Sequence, residues 1–595
     1  MSFVAELRRR SVFKVGAAYL VVGWLLIQVA ATVAPQLDLP AWAPRFITLL
    51  VALGFPVALL LAWAFEVTPG GVKVEPMSTG TKRMYAAAAV LVALAIGWYY
   101  RGQPAPGAGD VAAASAKSIA VLPFVNMSGD AENEYFSDGI SEEILNSLAQ
   151  MEGLKVAART SSFSFKGQSR EIPDIARELE VRMVLEGSVR KQGERVRITA
   201  QLIDASNGFH LWSQTYDRDL KDIFAIQDEI AHAIATQLKV KLGVAQAESG
   251  ARPDTTDLAA YEMYLKGMQL WQARGVDNMI EAHRLFLAAV ARDPKFAKAW
   301  AGVALSETMR PDWLGVPNAE ALPKAQDAAE RALALDPLLP EAFAALGNTA
   351  AGDGRLESAW AHFERAVALA PSYATAWQWY GFHLSTSGKP EQGVEVGRRA
   401  IALDPKATIV RHDNAIALWN AGRPEEALAI CDELIAERPD WMNCQALRLD
   451  YGLWRKDHAM ARAAMRRLAG SRGTDGQHFA EQMMDAVEGK ADPRPLAVRL
   501  LPLPDGFADP KSRTPLADGD AMYWFIAVGR PADAVTRMAR VAEVRPHIAR
   551  ALIVDPALDS IRCRDDFQTV VRQIRYADPR SAQLCGAGAT QGGGT

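Results

Sequence analysis

Prolines at 294, 337, 371, 405 and 439 constrain this chain most, because the last four are spaced 34 residues apart. A proline lacks the N–H that would continue a helix, so each one marks a stop. Between stops the pattern predicts two helices. Phe343, Leu346 and Gly347 fall on the first, and Ala359, Phe363 and Ala366 fall on the second. Small residues allow close approach where large ones fill the space between the pair. Trp377, Gly381, Ala400 and Pro405 repeat the pattern, as do Gly422, Ala427 and Pro439. Copies from Tyr261 to Pro294 and from Trp300 to Pro337 carry insertions, and Gly529, Ala534 and Pro546 mark a late, degenerate one. A period of this length builds a solenoid, since one helix pair cannot bury its own apolar face and must stack on the next.

The whole chain has 595 residues and a net charge of −4, enough length for several cores and no general attraction to a polyanion. Nucleic acid is therefore not expected as a partner. Cys431, Cys444, Cys563 and Cys585 lie outside any CxxC spacing, so they are expected to be isolated thiols.

Three apolar runs, 15–33, 46–65 and 84–100, crowd the first hundred residues. About 20 apolar residues cross a bilayer, and the third run is the shortest of the three. Arg8, Arg9, Arg10 and Lys14 precede the first run, Arg45 alone occupies the first loop, and Lys73, Lys82 and Arg83 occupy the second. By the positive-inside rule this predicts a cytoplasmic start and a soluble carboxy-terminal half in the periplasm, with the lipid bilayer as one partner. A cleaved signal peptide fits less well, because the first run is long, Pro35 obstructs cleavage and a second span follows at once.

The expected organisation is multi-domain. It comprises an α-helical membrane anchor over 1–100, a linker over 101–116, a small α/β domain over 117–243 and a linker over 244–258. An all-α repeat superhelix over 259–470, a degenerate helical region over 471–580 and a tail over 581–595 follow. Within the α/β domain, Ser118 to Phe124 and Leu154 to Ala158 read as strands, Ser137 to Met151 as a helix, and 183–218 as three strands turning at "KQGE" and "DASNG". The strand, turn and helix of "AVLPFVNMSGDAENEYFSDGISEEI" imitate a phosphate site in order only. Asp130, Glu132, Glu134 and Asp138 place negative charge where an anion would sit, and carboxylates at a helix start cap it themselves. The turn is expected to be structural, with no metal and no cofactor.

The segments "SIAVLPFVNMSGDAENEYFSDGISEEILNSLAQ", "LEGSVRKQGERVRITAQLIDASNGFHLWSQTYDR" and "DIFAIQDEIA" resemble the TolB amino-terminal-like periplasmic domain, related to the FlgO domain. That resemblance implies a non-enzymatic sensory or assembly module, often joined to tetratricopeptide (TPR) repeats and to a three-span anchor. The 34-residue array itself resembles the TPR family in residues as well as period. Its first helices would line a concave groove on which Asn348, Gln378, Phe382, His412, Trp419 and Asn420 are expected, or else pack between repeats. Amide, aromatic and imidazole groups suit an extended protein segment. With no HExxH, GxSxG, Walker or kinase sequence, no catalytic residue is assigned. The expected function is that of a scaffold or sensor binding protein or peptide partners. Only fourteen residues precede the first run, so any output would pass through a partner. The alternative is an envelope enzyme, or a regulatory subunit of a cytoplasmic signalling enzyme such as a cyclase.

Overall fold

The computed structural model describes residues 117–242, 255–439, 441–470, 473–501, 518–544, 546–574 and 578–585, with 65–68, 71–74 and a few positions before them. The chain divides into Met1–Ala113 and Ala114–Thr595. In the first unit, the three expected spans lie outside the described residues except for isolated helical positions. Among the described residues no helix is long and apolar enough to cross a membrane. The Tyr19 hydroxyl donates to the Val51 carbonyl at 3.0 Å, a contact between these two positions. Strands β1 (Phe65–Thr68) and β2 (Gly71–Val74) form an antiparallel hairpin, so Phe65 belongs to a strand.

The second unit opens with an α/β layer. Strands β3 (Ser118–Val121), β4 (Val125–Asn126), β5 (Lys155–Val156), β6 (Met183–Gln192), β7 (Arg195–Asp204) and β8 (Phe209–Asp219) form one sheet. Its order is β5-β3-β6-β7-β8, with β4 also on β6, parallel on one side and antiparallel through two hairpins on the other. The alternation in β7 decides its orientation: Val196, Ile198, Ala200 and Leu202 are buried, whereas Arg195 and Arg197 are exposed and pair with Asp217. Helices α1 (Glu134–Ala149), α2 (Arg159–Phe163), α3 (Ile172–Glu178) and α4 (Ile223–Leu242) complete the layer. The turn before α1 closes on itself. Asp130 accepts from the Glu132 N–H at 2.9 Å, Ser141 accepts from the Phe124 N–H at 2.9 Å, and Lys166 pairs with both Glu134 and Asp138.

Helix pairs follow. The first helices of successive repeats are α5 (Leu258–Ala273), α7 (Ala297–Leu314), α9 (Pro340–Gly352), α11 (Ala374–Thr386), α13 (Thr408–Asn420) and α15 (Met442–Arg455). Their partners are α6 (Val276–Arg292), α8 (Asn318–Leu335), α10 (Leu356–Leu369), α12 (Pro390–Leu403), α14 (Pro424–Glu437) and α16 (His458–Gly470). The close approach expected from small residues is present. A Cβ on Gly393 would stand 2.8 Å from the Gly381 carbonyl, and Ala359 is fully buried beneath α9. Helix α7 absorbs Pro311 inside its length, so the expected insertion is continued helix.

Helices α17 (Gly473–Val487), α18 (Arg494–Leu500), α19 (Asp518–Ala527), α20 (Pro531–Val544), α21 (Pro546–Ile553), α22 (Asp559–Arg562), α23 (Asp565–Gln573) and α24 (Pro579–Cys585) complete the second unit. Two expectations change here. Cys563 and Cys585 are disulfide-bonded with their Cα atoms 5.4 Å apart, so not all the cysteines are isolated. The pairing follows from α22 to α24 doubling back, which no local spacing encodes. Helix α24 also runs into the segment expected as a tail. Cys431 and Cys444 are buried thiols in contact on α14 and α15. The α/β layer and the repeats share one continuous core rather than standing apart across a linker.

Candidate functional site

The first helices pack side by side, so equivalent positions one repeat apart meet on the inner face of the array. Polar side chains there join in steps of 35 residues. His383 Nε2 lies 2.5 Å from Asn348 Oδ1, the Gln378 amide donates to Asp413 at 2.9 Å, and the Asn420 amide donates to the Ser385 carbonyl at 3.4 Å. Asn348 also donates to the Thr308 hydroxyl at 3.0 Å. These bonds satisfy groups that would be costly to bury unpaired. Desolvation pushes the His383 imidazole down to about 4; Asp312 opposes that shift and the nearby His547 and Arg550 reinforce it. The ring is therefore neutral at physiological pH. Arg274 lies over the Trp271 ring at 4.1 Å, and withdrawal from water lowers its pKa to about 10.

The six residues expected on the groove divide by accessibility. Asn348 and Phe382 are half-buried, and the Phe382 ring meets His383 edge-on at 5.4 Å. Gln378, His412, Asn420 and Trp419 are buried, with Trp419 only 2% exposed. The chain itself covers much of the inner face. On one side α1 packs closely on α5, where a Cβ on Gly139 would stand 2.7 Å from the Leu265 side chain. Glu143 receives Lys298 at 2.6 Å, and Glu142 pairs with Arg159 at 2.9 Å. Burial holds the Glu142 carboxyl above its usual range. Ser161 bonds Asp404 at 2.6 Å, and Ser372 accepts from the Val156 N–H at 3.1 Å. These bonds clamp the sheet edge to the repeat turns.

On the other side the carboxy-terminal helices fold in. The Trp419 indole donates to Asp555 at 2.9 Å, and Asp555 also receives the Tyr523 hydroxyl. Burial raises the Asp555 pKa, and burial with the neighbouring Asp520 and Asp555 raises that of Asp450. Arg550 and His547 of α21 reach α9 and α7. Sequence reasoning passed over Asp555, Tyr523, His547 and Arg550. The only local signal was the amphipathic run "PHIARALI", which shows a buried face without showing what it covers. Among the described residues no group of three His, Cys, Asp or Glu side chains could hold a metal ion.

A family model described as a tetratricopeptide repeat matches residues 384–449, across α12 to α15. The helix pairs of that segment match the tetratricopeptide repeat. A second model, described as the second domain of HilA/YgeH-like transcriptional regulators, matches residues 115–233, the extent of the α/β layer. Solved structures are similar to part of this chain at low identity. A thermophilic TPR protein of Thermus thermophilus is 19% identical, covering 31% of this chain and 95% of that one, at a TM-score of 0.27. PilF of Pseudomonas aeruginosa is 18% identical, covering 37% and 96%, at 0.29. A protein of Rhizobium meliloti (strain 1021) named "Putative adenylate cyclase 3" is 40% identical over 245 residues, 41% of this chain. The match spans 41% of that relative's length.

Proposed function

We propose that this chain is a protein-binding scaffold or sensor, anchored in the bacterial inner membrane by its apolar amino-terminal runs and presenting its soluble half to the periplasm. The observation that carries the binding role is the inner face of the helix array, where polar side chains pair in steps of 35 residues beside the half-buried Phe382 ring. The α/β layer serves as a TolB-like, FlgO-related sensory module. The disulfide between Cys563 and Cys585 favours an oxidising compartment. The 40% identical relative named as a cyclase favours a second reading, in which the chain regulates a signalling enzyme such as a cyclase.

Topology is tested by fusion. Alkaline phosphatase joined after Leu242 should be active, and joined after Glu75 it should be inactive; the reverse pattern would put the soluble half in the cytoplasm. Binding is tested at the accessible part of the groove. Asn348→Ala with Phe382→Ala in the full chain, solubilised in detergent, should still melt cooperatively, at a midpoint lowered by the lost Asn348–His383 bond, and should lose a captured partner by about tenfold or more, the scale of a lost aromatic anchor. A folded variant that keeps every partner would move the binding surface to the α/β layer.

A further inference from the structure

Helix α21 lies against α9 and α11, crossing back over repeats far from it in sequence. Arg550 donates to the carbonyls of Ala351 at 3.0 Å and Gly352 at 2.8 Å. These are the last carbonyls of α9, where helix bonding runs out and the dipole is negative. One turn earlier, His547 bridges Asn318 at 3.0 Å and Asp312 at 3.0 Å, at the junction of α7 and α8. Ala549 and Ile553 are fully buried. The segment is thus a short amphipathic helix held by its basic heads.

A cavity of about 700 Å³ flanks the start of α21 at the edge of the array, lined mainly by α8 with Thr349 of α9 and Glu543 of α20. Its lining includes the carboxylates Asp327, Glu330, Asp353 and Glu543 against the guanidinium of Arg355. An approaching segment would meet a net negative rim, which favours a basic one.

We infer that α21 is a built-in occupant of the repeat groove, and that the partner is a basic amphipathic helix that displaces it and sets a cation on the Ala351 and Gly352 carbonyls. The inference rests on the scaffold reading and adds both the partner's chemistry and its regulation. Binding competes with the intramolecular helix, so apparent affinity scales with the fraction of chains in which α21 has left.

The test uses the full chain in detergent and a fluorescein-labelled peptide with the sequence of residues 544–558. The peptide should bind the Arg550→Ala chain about tenfold or more tighter than the natural chain, because the weakened helix leaves more often. A peptide carrying glutamate in place of Arg550 should bind neither. Equal affinity for the two chains, or binding of the glutamate peptide, overturns the inference. Hydrogen exchange on the natural chain decides the matter should the variant fail to fold. Excess peptide should speed exchange across 546–553 and leave 259–439 unchanged, and no acceleration overturns displacement. Partner loss on replacing Asn348 and Phe382, without any peptide effect, would leave the scaffold reading standing and refute the self-occupied groove.

Discussion

Replacing Trp419 with alanine is expected to cost about 3–5 kcal/mol, the range for removing a large aromatic ring from a core. The indole is 2% exposed and packs on Trp454 at 5.5 Å and Tyr451 at 6.3 Å. Its N–H is also one of the donors that make a buried carboxylate at Asp555 tolerable, alongside the Ala557 N–H at 2.8 Å and the Tyr523 hydroxyl. Trp419→Phe keeps most of the ring and loses the donor, so it should cost less, about 1–2 kcal/mol. Denaturant midpoints of the full chain measure both. A loss below about 1 kcal/mol for alanine would mean that the Asp555 turn is not seated on the array. Partner binding by this variant would therefore be uninformative about the groove, since the fold is disturbed first.

Arg562→Ala should be as damaging, at about 3–5 kcal/mol, because it strands a buried charge. The Arg562 side chain is 0% exposed and Asp578 only 1%, and they pair at 2.5 Å. The guanidinium further donates to the carbonyls of Ile553 at 2.7 Å and Asp555 at 2.8 Å, tying the end of α21 to α22. Removing the arginine leaves those carbonyls and the carboxylate short of a partner. Adding Asp578→Asn should recover part of the loss, since the uncompensated charge goes with it. The disulfide offers an independent readout: Cys563 and Cys585 should reduce faster in Arg562→Ala as the segment around them opens more often. An unchanged reduction rate together with an unchanged midpoint would refute the buried pair.

Both variants act on the carboxy-terminal helices, which carry the contacts hardest to foresee. The two helices of each repeat, the hairpins of β6 to β8 and the inward face of β7 were legible because each is local. Proline stops, small residues at close approach and a two-residue alternation write burial into spacing over a few tens of residues. The positions of Asn348, Gln378 and Trp419 on first helices follow from the same period.

Their surroundings do not. Trp419 meets Asp555 across 136 residues, Arg550 meets Ala351 across 199, and Ser161 meets Asp404 across 243. Such contacts depend on how much each repeat turns relative to the last, a small rotation that accumulates along the array until distant elements face one another. The sequence by itself therefore determined that this protein builds an α/β layer and a helical array with a polar inner face. Only the tertiary structure decided that the layer and the array share one core, that Cys563 finds Cys585, and that the carboxy-terminal helices return to α7, α9 and α13. The reason is physical: local periodicity specifies which face of an element must be buried, whereas accumulated curvature specifies what buries it.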